Sequence, residues 1–429
     1  MTGQELDFEI EKLGGCSIPS PMIGGVFVDD GDKVLYHSDP EDIDPYYKRG
    51  EPVPCLELAG PRDKIYFDPS KIKCGIVTCG GLCPGLNDVI RAIVLSLHHH
   101  YGVSTVYGFR YGFEGLSSGH GHVPLELTPS MVDDIHQKGG TILSSSRGPQ
   151  DVSDMVDTLE KMHVNILFAI GGDGTLRGGL AIAGEIKRRN LKIGLIGVPK
   201  TIDNDISFIQ QSFGFVTAVT EARASIYSAH TEARGAMNGI GLVKLMGRES
   251  GFIAAYATLA NSEVNYCLIP EVPFSLERFL EILRKRLELR NHAVIVVGEG
   301  AGQDLMQLEG AQDASGNIRL GDIGLFLKDH INAYFKKIGM EANLKYIDPS
   351  YTIRSVPANA HDSAFCLRLG HNAVHAGMTG RTNMVVGFWK NEFTHLPISM
   401  AVSDRKHIDP RARLWSTVLE STGQPRDML

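Results

Sequence analysis

Three loops contain the residues whose types and spacing could do chemistry, and each follows a short apolar run. They span residues 78–87, 168–175 and 197–205. Glycines let a backbone pass close to phosphate oxygens, and a helix N-terminus just after them offers N–H groups and the positive end of a dipole. The pattern therefore indicates the binding and transfer of phosphate groups.

The first loop reads Thr-Cys-Gly-Gly-Leu-Cys-Pro-Gly-Leu-Asn. The spacing from Gly80 to Gly85 fits the glycines of a Walker loop. However, Leu86 and Asn87 stand where that loop requires Lys and Ser or Thr, so the Walker interpretation is wrong. Taken alone, the loop could equally be a tight turn from strand to helix.

The second loop reads Phe-Ala-Ile-Gly-Gly-Asp-Gly-Thr. Its aspartate, Asp173, lies among three glycines at the end of a predicted buried strand. That arrangement can hold Mg²⁺ against a polyphosphate, because Mg²⁺ prefers one or two carboxylates together with substrate oxygens. The spacing does not match a dinucleotide fingerprint. The alternative is a plain turn with an exposed aspartate, and similar loops occur in NAD kinases and lipid kinases.

The third loop places four polar side chains within six positions after a strand: Lys200, Thr201, Asp203 and Asp205. A hydroxyl that accepts a phosphoryl group needs a nearby carboxylate to take its proton. Two aspartates one residue apart could divide the work, one near a metal and one near the hydroxyl. By itself, the loop is also explained by an aspartate turn with satisfied hydrogen bonds.

The elements that position these loops alternate between strands and helices from Lys73 onward. Strands are predicted at 74–78, 164–170, 192–198, 239–245, 265–269 and 293–298. Helices are predicted at 86–97, after Gly174, and at 275–289 with Ser275 as N-cap. This order predicts parallel sheets with helices on both faces, which bind ligands at the carboxyl ends of their strands.

The composition limits the classes of function. The chain has 429 residues and a net charge of -8, which argues against a general nucleic-acid binder. The sequence contains no apolar run of about 18 residues, so no membrane span is predicted. Seven cysteines in a chain this long do not resemble a disulfide scaffold. We therefore expect a soluble protein of the reducing cytoplasm.

In this order, the three loops resemble those of the phosphofructokinase family. Further matching motifs lie at 144–147, 244–251, 269–274, 297–300 and 346–354. The resemblance runs from about residue 71 to 400. The N-terminal segment and the Pro-Lys-Thr-Ile-Asp-Asn-Asp loop look most like the long-chain ATP enzymes of protists, plants and some bacteria.

The resemblance implies an α/β fold of two three-layer, parallel-sheet, Rossmann-like domains with an N-terminal extension. The expected parts are an extension at 1–70, a nucleotide-binding domain at 71–214 to which the chain returns at about 357–390, and a fructose 6-phosphate domain at 215–429. The implied activity is an ATP-dependent 6-phosphofructokinase of glycolysis, with Mg²⁺ as cofactor and ATP as co-substrate. Family members are commonly allosteric homotetramers, so we expect a homo-oligomer, either dimer or tetramer.

The resemblance also implies a role for each site residue. Asp203 is the expected base on the sugar 1-hydroxyl, with Thr201 and Arg248 beside the transferring phosphoryl group. Mg²⁺ is expected at Asp173 and Asp205. The expected ATP ligands are Gly80, Arg147, Gly172, Asp173, Gly174, Thr175 and Lys200. The expected sugar-phosphate ligands are Thr201, Asp203, Met246, Gly247, Arg248, Glu299, Lys345, Tyr351 and Arg354.

Two positions depart from the short bacterial enzymes of the family, which carry arginine where this chain has Gly239 and Lys345. Both belong to the part of the site that a neighbouring subunit completes in the family. Lysine supplies charge but not the two-pronged hydrogen bonding of a guanidinium. The resemblance therefore leaves some of the 6-phosphate ligands open.

The phosphoryl donor depends on two further positions. Pyrophosphate users of the family typically carry aspartate at position 174 and lysine at position 200. Here Gly174 leaves room for the α-phosphate of ATP, whereas Lys200 could hold pyrophosphate. Steric exclusion outweighs one partly screened cation, so ATP is the expected donor.

Three alternatives remain at this stage. The first is a pyrophosphate-dependent phosphofructokinase. The second is another kinase with a Gly-Gly-Asp-Gly loop, which leaves the third loop and the Met-Gly-Arg segment unexplained. The third is a regulatory subunit that binds sugar phosphate without turnover, although such a subunit would not need to keep Asp203 and Asp173.

Overall fold

A computed structural model describes residues 6–306 and 319–429. The chain divides into two compact units. Unit 1 contains the described residues of Met1–Thr201, Ile206–Gly214 and Pro357–Arg405. Unit 2 contains those of Ile202–Asp205, Phe215–Val356 and Lys406–Leu429. The first five residues of the predicted extension, and 307–318 of the predicted sugar-phosphate domain, lie outside the described residues.

The strands of the described residues, numbered β1 to β15 in chain order, are Ile18–Pro19, Lys33–Leu35, Cys55–Leu58, Lys64–Ile65, Lys73–Thr78, Thr105–Phe109, Leu125–Glu126, Val164–Gly171, Gly194–Pro199, Gly239–Leu245, Tyr266–Leu268, His292–Gly298, Asn343–Ile347, Met384–Trp389 and Glu392–Pro397.

The α-helices, numbered α1 to α12, are Pro40–Arg49, Leu86–Leu95, Val152–Lys161, Asp173–Arg188, Phe215–Arg234, Phe252–Leu259, Leu276–Arg290, Ile323–Lys337, Thr352–Ser355, Ala360–Met378, Ile398–Ala401 and Arg413–Thr422. All six predicted strands and all three predicted helices are present. The third predicted strand begins two residues later than expected, at Gly194. The first predicted helix ends at Leu95 and continues as a π-helical turn at Ser96–Tyr101.

Unit 1 is built on a nine-stranded sheet with the order β2-β3-β15-β14-β9-β8-β5-β6-β7. The five central strands, β14, β9, β8, β5 and β6, run parallel. The edge strands β7, β15, β3 and β2 pair antiparallel. The expectation of parallel strands is therefore confirmed for the centre of this sheet, and both edges differ from it.

Helices cover both faces of the unit 1 sheet, as the alternation of side chains along β8 demonstrates. Leu167 and Ala169 belong to an apolar cluster that includes buried residues of α3 and α4. Ile166 and Phe168 point to the opposite face and lie against Gly377 of α10. Because successive strand residues face opposite ways, one largely apolar strand can pack against two helical layers.

The N-terminal segment joins this sheet through β2 and β3 and is held by a buried cluster of charges. Arg62 and Arg381 are 4% and 1% exposed. Both guanidinium groups donate to the carboxylates of Glu57 and Asp30. Burial opposes the charged form of Glu57, but His395 and Arg381 lower the pKa of its carboxyl to about 2. The cluster links residues more than 300 positions apart in the chain.

Unit 2 is built on a four-stranded sheet with the order β11-β12-β10-β13, in which all neighbours run parallel. One face carries an apolar cluster with Ile240, Leu242 and Ile295 packed with the buried side chains of α7 and α8. On the other face, Gly241 lies against Ala229 of α5, so closely that a Cβ atom at position 241 would come within 2.9 Å of it. Unit 2 is thus a second three-layer arrangement.

Each unit is therefore an α/β layer structure with a parallel sheet or parallel sheet centre, which confirms the predicted fold class. Within residues 6–306 and 319–429, none of the helices is both long enough and apolar enough to cross a lipid bilayer.

Candidate functional site

The first glycine loop connects β5 to α2. Gly80 has φ of 84° and Gly85, the N-cap of α2, has φ of 100°, conformations that disfavour any side chain. A Cβ atom at position 85 would lie 2.6 Å from Cys366 Sγ. Both glycines are therefore required by the local backbone, as a tight turn from strand to helix predicts.

A serine-rich segment supports this loop from the side. The Gly80 N–H donates to the carbonyl of Ser146 over 3.1 Å. The Ser145 hydroxyl donates to the Gly80 carbonyl over 2.6 Å. Arg147 follows immediately with an exposed side chain. The structure therefore places Gly80 in contact with Ser145 and Ser146, the two residues that precede Arg147.

The second glycine loop connects β8 to α4, with Gly172 as the N-cap and Asp173 as the first residue of the helix. Gly171 has no space for a side chain, because a Cβ there would lie 2.1 Å from Thr175 Oγ1. The Thr175 side chain is buried, and its N–H donates to the Gly172 carbonyl over 2.9 Å. A helix N-terminus at the carboxyl end of a central strand is a site suited to phosphate groups.

Gly174 differs from its neighbours because its surroundings are open. It lies in the first turn of α4, and a Cβ atom placed there would meet no atom within 4 Å. The protein itself therefore does not require glycine at this position. A ligand that approaches the N-terminus of α4 closely would account for glycine at position 174.

Asp173 is flanked by two guanidinium groups. Arg177 Nε donates to its Oδ2 over 3.0 Å, and Arg405 Nη2 lies 3.9 Å from the same oxygen. Arg177 also donates to the Val402 carbonyl over 2.8 Å, which fixes the guanidinium in place. The sequence interpretation missed both arginines. The spacing of four residues on a helix could have indicated Arg177, but Arg405 is 232 positions away from Asp173.

Lys200 links the third loop to the first two. Its side chain is 6% exposed, and Nζ donates to the Gly81 carbonyl over 2.6 Å. The Lys200 N–H donates to the Gly171 carbonyl over 2.9 Å, and a Cβ at Gly172 would lie 3.2 Å from the Lys200 carbonyl oxygen. Lys200, in the third loop, therefore contacts both of the other loops within unit 1. The amine is directed to the backbone of the first loop.

The rest of the third loop divides between the units. Thr201 ends the first stretch of unit 1, where its carbonyl accepts from the Ser212 hydroxyl over 2.6 Å. Asp203 and Asp205 belong to unit 2, and both are partly buried. The Asp205 carbonyl accepts from the Lys406 N–H over 2.8 Å. Burial lowers the pKa of the Lys406 amine to about 8, against the opposing charge of Asp205.

The Met246–Gly247–Arg248 turn follows the carboxyl end of β10. Gly247 has φ of 136° and Arg248 has φ of 40°, an uncommon value for a residue with a side chain. The Arg248 N–H donates to Glu299 Oε1 over 3.0 Å. A Cβ at Gly300 would lie 1.5 Å from the Arg248 carbonyl oxygen. Glu299 and Gly300 therefore hold the strained turn that presents Arg248.

The residues expected at the 6-phosphate lie at the end of β13. The Arg354 guanidinium carbon lies 4.8 Å from the centre of the Tyr351 ring, so these two side chains are together. Tyr351 is 77% exposed, and Lys345 on β13 is also exposed. Nearby, Lys244 Nζ lies 2.9 Å from both Asp322 and Asp348, which fixes the turn between β13 and Tyr351.

The donor set suits Mg²⁺ because the two candidate ligands are carboxylates. The Asp173 side chain is 29% exposed, so one carboxylate edge is accessible to a hydrated ion. Its ion pair with Arg177 is largely solvated and contributes at most about 1 kcal/mol, which a divalent cation can outweigh. The Asp173 carboxylate is therefore compatible with a Mg²⁺ ion held mainly by substrate phosphates and water.

The sequence of this chain is similar to those of known proteins over most of its length. The model of the family described as "Phosphofructokinase" matches residues 73–377. The chain is 50% identical to the ATP-dependent 6-phosphofructokinase of Borreliella burgdorferi, over 99% of this chain and 98% of that protein. It is 47% identical to the enzyme of the same name from Amycolatopsis methanolica, with 98% and 95% covered. The corresponding values for Trypanosoma brucei brucei are 46%, 97% and 87%.

Solved structures share the fold at much lower identity. A pyrophosphate-dependent phosphofructokinase from Marinobacter aquaeolei superposes with a TM-score of 0.68 at 18% identity, covering 82% of this chain and 91% of that one. Pichia pastoris phosphofructokinase in the T-state gives a TM-score of 0.64 at 21% identity, covering 82% and 37%. Identities this low support the fold alone.

Proposed function

The chain belongs to the phosphofructokinase family, and from this premise we propose that it is an ATP-dependent 6-phosphofructokinase of glycolysis. The reaction transfers the γ-phosphoryl group of ATP to the 1-hydroxyl of fructose 6-phosphate. The new bond joins the sugar oxygen to the γ-phosphorus, and the bond from that phosphorus to the β–γ bridging oxygen breaks. The products are ADP, fructose 1,6-bisphosphate and the proton of the hydroxyl.

The observation that carries the choice of ATP is the open space at Gly174. This residue lies in the first turn of α4, next to Asp173 in the sequence, and a Cβ atom placed there would have open space. A nucleotide phosphate chain can approach the N-terminus of α4 because no side chain projects from position 174. The names of the curated relatives, at 45–50% identity, agree with this choice.

We assign the proton transfer to Asp203. Its carboxylate would accept the proton of the sugar 1-hydroxyl as the oxygen attacks phosphorus. Thr201 and Arg248 would contact the transferring group, where a guanidinium neutralises charge that develops on the phosphoryl oxygens. Gly80, Arg147, Gly172, Thr175 and Lys200 would hold the phosphates of ATP.

Mg²⁺, when bound through Asp173 and Asp205, would neutralise charge on the phosphate oxygens. The sugar-phosphate ligands would come from unit 2. Glu299 fixes the backbone of Arg248 and, with Met246 and Gly247, would line the sugar pocket. Arg354, held over the Tyr351 ring, can make two parallel hydrogen bonds to a phosphate, and Lys345 would add a further positive charge.

A donor assay tests the proposal. The full-length protein is assayed with Mg²⁺, fructose 6-phosphate and either ATP or pyrophosphate. We expect turnover with ATP to exceed turnover with pyrophosphate by at least a hundredfold in kcat/KM. Equal or faster turnover with pyrophosphate would reverse the donor assignment. No turnover with either donor, in a folded protein that binds fructose 6-phosphate, would instead indicate a regulatory subunit.

The substitution Asp203→Asn tests the assigned base. General-base assistance contributes about 10²- to 10⁴-fold, so we expect a fall in kcat within that range. Asp409→Asn is the matched control, since Asp409 is an exposed aspartate of unit 2 that pairs with Arg411. If Asp203→Asn retained activity within a few-fold of the wild type, another group would have to accept the proton.

We further propose that the protein is cytoplasmic and a homo-oligomer. All seven cysteines lie in described segments of the chain and are thiols, which suits a reducing compartment. The exposure of Lys345 and Tyr351 suits a 6-phosphate site completed by a second subunit. Light scattering on the purified protein tests the assembly, and a monomer with full activity would refute it. Fractionation of the source cells tests the compartment.

A further inference from the structure

We infer that unit 1 contains a binding site for a zinc-class divalent ion, formed by Glu114, His120 and His122 in the loop between β6 and β7. One ligand atom from each side chain lies within 4.8 Å of the other two. These residues are separate from Asp173 and Asp205. The site therefore goes beyond the proposed function and does not depend on it.

The chemistry of the three side chains selects the class of ion. Two imidazole nitrogens and one carboxylate form a ligand set that suits Zn²⁺, Co²⁺ or Ni²⁺, whereas Mg²⁺ prefers oxygen ligands. With three protein ligands, a tetrahedral ion keeps one position for water. A structural site with four protein ligands would need a further side chain.

The size of the cluster is close to what such an ion needs. Three atoms at the upper limit of 4.8 Å from one another have a central point about 2.8 Å from each, compared with about 2.0–2.2 Å for zinc bound to nitrogen or oxygen. Inward shifts of at most about 0.7 Å would bring the three atoms to zinc-binding distance. His120 is exposed, so a small rotation of its side chain can supply such a shift.

Neighbouring contacts preorganise the histidines. His120 Nε2 lies 3.1 Å from Gln150 Oε1, and donation of the Nε2–H to this amide oxygen leaves Nδ1 to bind an ion. The His122 ring packs on Tyr111 with 4.6 Å between centroids. The two imidazoles are stacked, with an angle of 3° between planes and 5.8 Å between centroids. Gly121, with φ of 65°, supplies the turn between them.

The backbone of the loop is also anchored next to the site. Asp154 of α3 accepts hydrogen bonds from the hydroxyls of Ser117 and Ser118 and from the Ser118 N–H, at 2.6–2.9 Å. Glu114 is half-buried and lies in a 3-10 turn, and two buried side chains of this turn, Phe113 and Leu116, belong to the core of unit 1. The ligands therefore project from a supported loop, which reduces the entropy cost of binding an ion.

Calorimetry on the full-length protein, stripped with a chelator, tests the inference without any substrate. We expect one Zn²⁺ per chain in the wild type, and at least tenfold weaker binding in both His120→Ala and Glu114→Gln. Gln150→Ala removes only the orienting contact and should weaken binding about 10- to 100-fold. Mg²⁺ at millimolar concentration should not displace the zinc.

His99→Ala is the matched control, because His99 is another exposed histidine of unit 1 and should leave zinc binding unchanged. Anomalous scattering from a zinc-soaked crystal gives the location independently, with a peak expected among the three side chains. Absence of zinc binding, or binding unaffected by His120→Ala and Glu114→Gln, would overturn the inference. Zinc bound by cysteine thiols would be unaffected by both variants, because neither changes a cysteine, and this outcome would also overturn the inference.

Discussion

The substitution Gly174→Asp separates the tolerance of the fold from the needs of the nucleotide. Apart from the backbone of α4 and the two chain neighbours, no protein atom lies within 4 Å of a Cβ placed at position 174, so the Cβ has open space. The position lies in the first turn of α4, where a carboxylate interacts favourably with the helix dipole. We therefore expect the variant to fold with a melting temperature equal to or slightly above that of the wild type.

The effect on ATP should be large. If a carboxylate at 174 lies on the order of 5 Å from a nucleotide phosphate, the two like charges repel by about 3 kcal/mol at an effective dielectric constant of 20. This energy corresponds to a roughly hundredfold lower kcat/KM for ATP, before any steric exclusion is added. The assay is steady-state turnover over a range of ATP concentrations, with saturating fructose 6-phosphate and Mg²⁺.

Gly174→Asn is the matched control because asparagine has the same shape without the charge. If charge dominates, the asparagine variant should retain most of its activity with ATP, whereas equal losses in both variants would indicate steric exclusion. A Gly174→Asp variant with unchanged kcat/KM for ATP would refute the argument that glycine at this position makes room for the nucleotide.

Three further predictions concern other parts of the chain. Gly300→Ala should raise the KM for fructose 6-phosphate and lower the melting temperature, because its Cβ would overlap the Arg248 carbonyl. The control Gly184→Ala, on α4 where a Cβ has open space, should leave both the KM and the melting temperature unchanged. Glu57→Gln should cost about 3–5 kcal/mol of unfolding free energy in urea titrations, because two buried guanidinium groups lose a charged partner; a loss below 1 kcal/mol would contradict this. The free energy of unfolding should fall from pH 7 to pH 5, because burial lowers the pKa of His375 to about 3 and of His395 to about 4. In the unfolded chain both histidines bind a proton below about pH 6.5, whereas in the folded protein they stay neutral. Each histidine therefore lowers the free energy of unfolding by about 2 kcal/mol at pH 5. His375→Gln should reduce that slope, and an unchanged slope would assign it to other groups.

The parts of the fold that the sequence predicts are those with long apolar runs. The strand at Val164–Gly171 has seven buried residues out of eight, and Gly239–Leu245 has six out of seven. Most of the strands that prediction missed are short or less buried, although Met384–Trp389 and Glu392–Pro397 each have six residues, four of them buried. Cys55–Leu58 has four residues, and none of the five residues of Asn343–Ile347 is fully buried. Runs so short do not display a period that local analysis can detect.

The candidate site likewise has parts that the sequence predicts and parts that it does not. The glycine loops were predictable because each follows a buried strand and precedes a helix. The hydrogen bond from Lys200 to Gly81 was not, since it joins residues 119 positions apart. Arg405 near Asp173 likewise has no local signature. The ligand atoms of Glu114, His120 and His122 are brought together by the fold of their loop, which the sequence interpretation did not single out.

The discontinuity of unit 1 determines when this protein can complete its folding on the ribosome. The strand Met384–Trp389 lies between Gly194–Pro199 and Glu392–Pro397 in the large sheet, and the last of these pairs with Cys55–Leu58. The strand Cys55–Leu58 must therefore wait until about nine-tenths of the chain has been synthesised before it can pair with Glu392–Pro397 and join the large sheet. Pairings so distant in sequence form slowly and leave strand edges exposed in the meantime. Nascent chains of this protein should accordingly depend on chaperones that shield such edges.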